Sequence, residues 1–122
     1  MVNDTQNTNI QTYIPLPLRL HQSLRDLAQK YEAAGVDLFI FGSFARGDQR
    51  PTSDLDLGVE WRTKRDDQTF LRLYWEVQDL PTIRRIDLVD FSQTGPNFRQ
   101  IAGLDKIYLS ERHASSDEKT IA

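Results

Sequence analysis

The chain has 122 residues, 39% of them apolar, and carries 15 lysines and arginines against 18 aspartates and glutamates for a net charge of −3. That length suits one domain with a modest core, and the charge balance lacks the basic excess that direct nucleic-acid binding usually brings. Zero cysteines and two histidines exclude disulfides, thiolate zinc sites and a cysteine nucleophile, so any metal is expected on carboxylates.

Residues 1–14 are polar and hold neither the basic cluster nor the apolar stretch of a secretory signal, so they read as a flexible tail on a cytoplasmic protein. The domain is expected over 15–112, with a second flexible tail over 113–122. Leu20, Leu24, Leu27, Ala28 and Tyr31 fall on one helical face, which predicts a helix over about 17–34 stopped at Gly35. Val36–Phe41 reads as a short buried strand ending at Gly42; its longest apolar run, Leu38–Phe41, is far below the roughly 20 residues that cross a bilayer. No membrane contact is expected.

Asp54–Trp61 alternates, with Asp54, Asp56, Gly58 and Glu60 on one face and Leu55, Leu57, Val59 and Trp61 on the other, which predicts a half-buried strand. A charged linker, Arg62–Asp67, leads into a helix marked by Phe70, Leu73, Tyr74, Val77 and Leu80 and stopped by Pro81. Ile83–Phe91 alternates again as a third strand. Phe98–Leu104, after Gly95-Pro96, reads as a short helix, and Lys106–Leu109 as an extended or helical piece. The order implies an α+β fold, α/β-like, with a small mixed sheet flanked by helices.

The chemistry is concentrated between Gly42 and Leu57. Asp54 and Asp56, two apart on a strand, lie on one face with Cα atoms about 7 Å apart, a spacing from which both can reach one hard cation such as magnesium. Ser43 reads as the N-cap of a helical turn through Phe44, Ala45 and Arg46. Gly42 permits close approach, and the turn's amides, the Ser43 hydroxyl and Arg46 form a candidate phosphate cradle. Asp87 joins the cluster if the third strand pairs beside the second.

Gly42-Ser43, ten residues and then Asp54-Leu55-Asp56 resembles the signature of the DNA polymerase beta type nucleotidyltransferase superfamily. Gly-Ser-Phe-Ala-Arg-Gly with Ser-Asp-Leu-Asp-Leu, on a chain this short, is similar to the minimal nucleotidyltransferase (MNT) antitoxins, over residues 18–111. The resemblance implies a nucleotidyltransferase fold, ATP as substrate, two magnesium ions and a HEPN-domain toxin as partner, with AMP passed to a toxin tyrosine and pyrophosphate released. It places Ser43 on the triphosphate, Asp54 and Asp56 on both ions, and Asp87, in Ile-Asp-Leu-Val, on the ion that activates the acceptor. Asp90 is the alternative third carboxylate under a shifted register.

Other readings stay open beside these. The chain could neutralise a toxin by occlusion alone, or pass AMP to a small molecule such as an aminoglycoside in a pocket completed by a second subunit. Arg46 is either a phosphate contact or a surface residue. Asp48, Arg50, Glu60 and His21 read as solvated, Tyr74 and Trp75 as core or interface aromatics, and Lys64, Arg65, Arg84 and Arg85 as scattered surface charge before a basic patch.

Overall fold

A computed structural model describes residues 15–110; the expected tails, 1–14 and 113–122, lie outside the described residues. The elements in order are α1 (Leu18–Glu32), β1 (Val36–Phe41), α2 (Ser43–Arg46), β2 (Leu55–Trp61), α3 (Asp67–Gln78), β3 (Ile86–Asp90), a 3-10 turn (Phe91–Gln93), α4 (Pro96–Ala102) and β4 (Ile107–Tyr108). No helix among the described residues is long and apolar enough to cross a membrane.

The strands form one mixed sheet in the order β3-β2-β1-β4. β1 runs antiparallel to β2 and β4, whereas β2 and β3 are parallel, which requires the crossover that α3 supplies. The apolar stripe of α1 packs with Leu73 and Val77 of α3 on the sheet face carrying Leu38, Ile40, Leu55, Leu57 and Val59. β1 is buried at all six positions, as a central strand covered on both faces should be.

The opposite face carries a smaller aromatic cluster. Phe39, Phe41 and Phe91 are buried together there, with the Phe91 ring 4.9 Å from Phe39 and 5.0 Å from Phe41 in edge-on contacts. Gly58 makes room for them, because a Cβ at that position would stand 2.3 Å from the Phe39 ring. Lys106 lies 4.9 Å above the Phe39 ring and pairs with Glu60 at 2.5 Å, while the Tyr108 hydroxyl donates to the same carboxylate at 2.7 Å. Glu60 is therefore a partnered residue and not the solvated one expected, because β4 returns beside β1 and brings both donors to it.

Three further expectations are corrected. His21 is buried at 8% exposure, since it starts the inward stripe of α1 beside Leu20. Of the core or interface reading of Tyr74 and Trp75, the core half falls: both are exposed, because Leu73 and Val77 occupy the inward face of α3. The third strand begins at Ile86 and not Ile83, as residues 81–85 turn after α3 before pairing starts.

Candidate active site

The parallel ladder sets Asp87 directly opposite Asp56, and Leu57 opposite Leu88. Residues facing each other across a ladder share a face, so the two carboxylates stand side by side on the face that also carries Phe41. Asp54 precedes β2 by one residue instead of lying within it as expected, and its carboxylate is 3.9 Å from the Arg85 guanidinium. Arg85 also donates to Asp87 at 3.1 Å. The three candidate aspartates are thus brought together, with one exposed cation between two of them.

Charge crowding is felt most by Asp56. Burial, then the neighbouring Asp87 and Asp54 carboxylates, push its carboxyl above the ordinary range, and Arg46 only partly opposes them. An all-oxygen carboxylate set that repels itself suits a hard divalent cation. Among the described residues no group of three or more histidine, aspartate or glutamate side chains is arranged to hold a metal ion by itself.

Beside them β1 is followed by Gly42, with φ 76 and ψ −151, a conformation that only glycine adopts without strain. A Cβ there would stand 2.2 Å from an Asp56 carboxylate oxygen. Ser43 is the first residue of α2, and Gly42 takes the cap position with no side-chain capping bond, which corrects the expected Ser43 N-cap. The helix therefore starts one residue earlier than expected, and the Ser43 hydroxyl has no capping role. Arg46 is exposed on α2, 3.2 Å from Asp48. Gly42→Ala is expected to cost about 1–3 kcal/mol of stability and to displace Asp56; urea unfolding and nucleotide titration check the two effects.

Asp90 is on the other face. It pairs opposite Val59 and turns inward, accepting hydrogen bonds from Trp61 Nε1 at 3.1 Å, Arg65 Nε at 2.5 Å and Ser92. The register therefore gives Asp87 to the cluster and Asp90 to the fold.

Two arginines join the site that sequence reading had left as surface charge. Arg84 donates to the carbonyls of Ser53 at 2.5 Å and Pro51 at 3.3 Å and lies 5.0 Å over the Phe44 ring, tying the loop before Asp54 to β3 and α2. Arg85 sits two residues before Asp87, the strand spacing that shares a face, and this was the available signal. Arg65 is taken up by Asp90 and Asp67, so the four basic residues form no single patch.

Comparison with known proteins bears on this geometry. Residues 22–114 match the family model described as Polymerase beta, Nucleotidyltransferase. A Methanocaldococcus jannaschii protein, named as a candidate protein adenylyltransferase, is 35% identical over 72 residues, covering 59% of this chain and 78% of that protein. Two crystal structures share the fold. One, of a toxin-antitoxin with AMP-PNP, has a TM-score of 0.51 at 22% identity and covers 75% of this chain and 69% of its own. The other, of a mutant toxin-antitoxin MntA-HpeT, has a TM-score of 0.51 at 20% identity over 72% of this chain and 67% of its own.

Proposed function

Because this chain belongs to the polymerase beta nucleotidyltransferase family, and is therefore a nucleotidyltransferase, we propose that it is a protein adenylyltransferase acting as the antitoxin of a toxin-antitoxin pair. Its substrate is ATP, its partner a HEPN-domain toxin, and its acceptor a tyrosine of that toxin. The observation that carries the reading is the register that sets Asp56 against Asp87 beside Gly42-Ser43. The likeness to a relative named for protein adenylylation and to toxin-antitoxin folds supports it.

Ser43 and the backbone at Gly42 receive the triphosphate, with Arg46 adding a cation at its outer side. Asp54, Asp56 and Asp87 would hold magnesium, which when bound stabilises the charge that develops on the attacking and leaving oxygens. The phenol oxygen forms a bond to the α-phosphorus as the bond from that phosphorus to the bridging oxygen breaks, and pyrophosphate leaves with the electron pair. A free tyrosine has a pKa near 10, so its proton must be taken up; Asp87 would accept it as general base, or a bound metal would lower the phenol's pKa. Arg85 neutralises Asp87 and Asp54 until nucleotide arrives.

The test is intact mass of a cognate HEPN-domain toxin after incubation with this chain, ATP and magnesium, beside an Asp54→Asn, Asp56→Asn variant. Gain of whole AMP units that vanishes with the variant is the expected result. A tight complex without mass gain, and neutralisation retained by the variant, would replace modification with occlusion.

A further inference from the structure

β3 ends the sheet, with β2 on one side and no strand on the other among the described residues. The Leu55 amide donates to the Arg85 carbonyl at 3.0 Å, so the backbone groups of Asp87 and Val89, in step with Arg85, turn toward β2. Those of Ile86 and Leu88 turn to the open edge. The strand pairs without a bulge and contains neither lysine nor proline, three of the devices that block addition of another strand; its inward charge, Asp90, is held by Trp61, Arg65 and Ser92.

This edge lies inside a cavity of about 830 Å³ that also takes in Asp56 and Asp87 on one face of the sheet and Tyr74, Val77 and Leu80 on the other. Arg85, with 74% of its side chain exposed, stands where the edge begins. A small molecule would leave the backbone groups of Ile86 and Leu88 to water, whereas an extended polypeptide satisfies all of them.

We propose that the acceptor is presented as an extended protein segment added as a further strand along Ile86–Val89, its hydroxyl-bearing residue beside Asp87. This rests on the reading of the chain as a protein-modifying enzyme and defines what it modifies. A residue beside Asp87 shares the carboxylate face, and its two neighbours in sequence turn to the opposite face, where Tyr74, Val77 and Leu80 line the cavity. The segment is therefore a tyrosine flanked by apolar residues on both sides, with an acidic residue near the positive charge of Arg85.

The experiment uses the full chain and a short capped peptide with a Val-Tyr-Val centre and a glutamate toward one end. Binding is expected to slow amide exchange at Ile86 and Leu88 while Asp87 and Val89, already paired to β2, change little. Backbone N-methylation of the peptide should weaken binding about tenfold at alternate positions, the period of strand pairing. Tyr74→Lys, on the exposed side of α3, should weaken it without disturbing the fold.

Three results would overturn the proposal. One is no saturable peptide binding, another is binding without slowed exchange at Ile86 and Leu88, and the third is slow exchange at those amides in the chain alone, which would mean that its own terminal residues fill the edge. AMP transfer to the peptide or to a toxin without edge protection would end the docking proposal and leave the enzyme reading standing. Edge protection without AMP transfer would do the reverse.

Discussion

Asp56→Asn is expected to slow nucleotidyl transfer by about a thousandfold, the effect of losing several kcal/mol of stabilisation from the reacting phosphate. With chelator present, the same substitution should raise the temperature of unfolding. Asp56 is held between burial and two like charges, Asp87 and Asp54, which push its carboxyl above the ordinary range. An acid whose folded-state pKa lies above its unfolded value adds stability only at low pH, and that contribution disappears as pH rises from the unfolded value through the raised one. At neutral pH the ionised group is a burden on the fold, and the neutral amide removes it. Single-turnover rates and thermal unfolding in chelator test both halves. A variant that loses rate and also unfolds at lower temperature would make Asp56 a residue of the fold rather than of the reaction.

Asp90→Ala is expected to lower stability by about 3 kcal/mol, the cost of breaking a buried ion pair from one side. Asp90 is 7% exposed and gathers Trp61, Arg65 and Ser92 where β3 passes into the 3-10 turn. Burial alone would push its carboxyl up; the hydrogen bonds from Ser92, Arg65 and Trp61 outweigh it and hold it below the usual carboxylate range. The sign is opposite to that of Asp56. The contribution is complete above the unfolded pKa and disappears as pH falls through the lowered folded value. Urea unfolding should therefore show a penalty at neutral pH that shrinks in strong acid, and equal penalties at both would assign the loss to packing instead.

The two aspartates also show how far sequence reading reaches. The i, i+2 spacing of Asp54 and Asp56 and the alternation through Ile86, Asp87 and Leu88 are local, and both survive in the structure with shifts of a residue or a few at strand ends. Which strand lies beside β2 is a non-local fact; the sequence supported the pairing only as a condition, and the ladder meets it. Glu60 and His21 were misjudged, and Tyr74 was left between core and interface, for the same reason. Their surroundings depend on where β4 returns and how α1 and α3 rotate onto the sheet, and no window of neighbouring residues contains that. The free edge of β3 was illegible too, since an edge is defined by what does not pair with it.

The parallel pairing of β2 with β3 sets an order of events during synthesis. Gly42, Ser43, Asp54 and Asp56 leave the ribosome together, but Asp87 takes its place opposite Asp56 only after the intervening crossover has been made and packed. A nascent chain released at Leu80 would carry Gly42, Ser43 and two of the three carboxylates without β3 beside them. The three charges that repel one another are therefore not brought into contact until most of the domain exists to hold them.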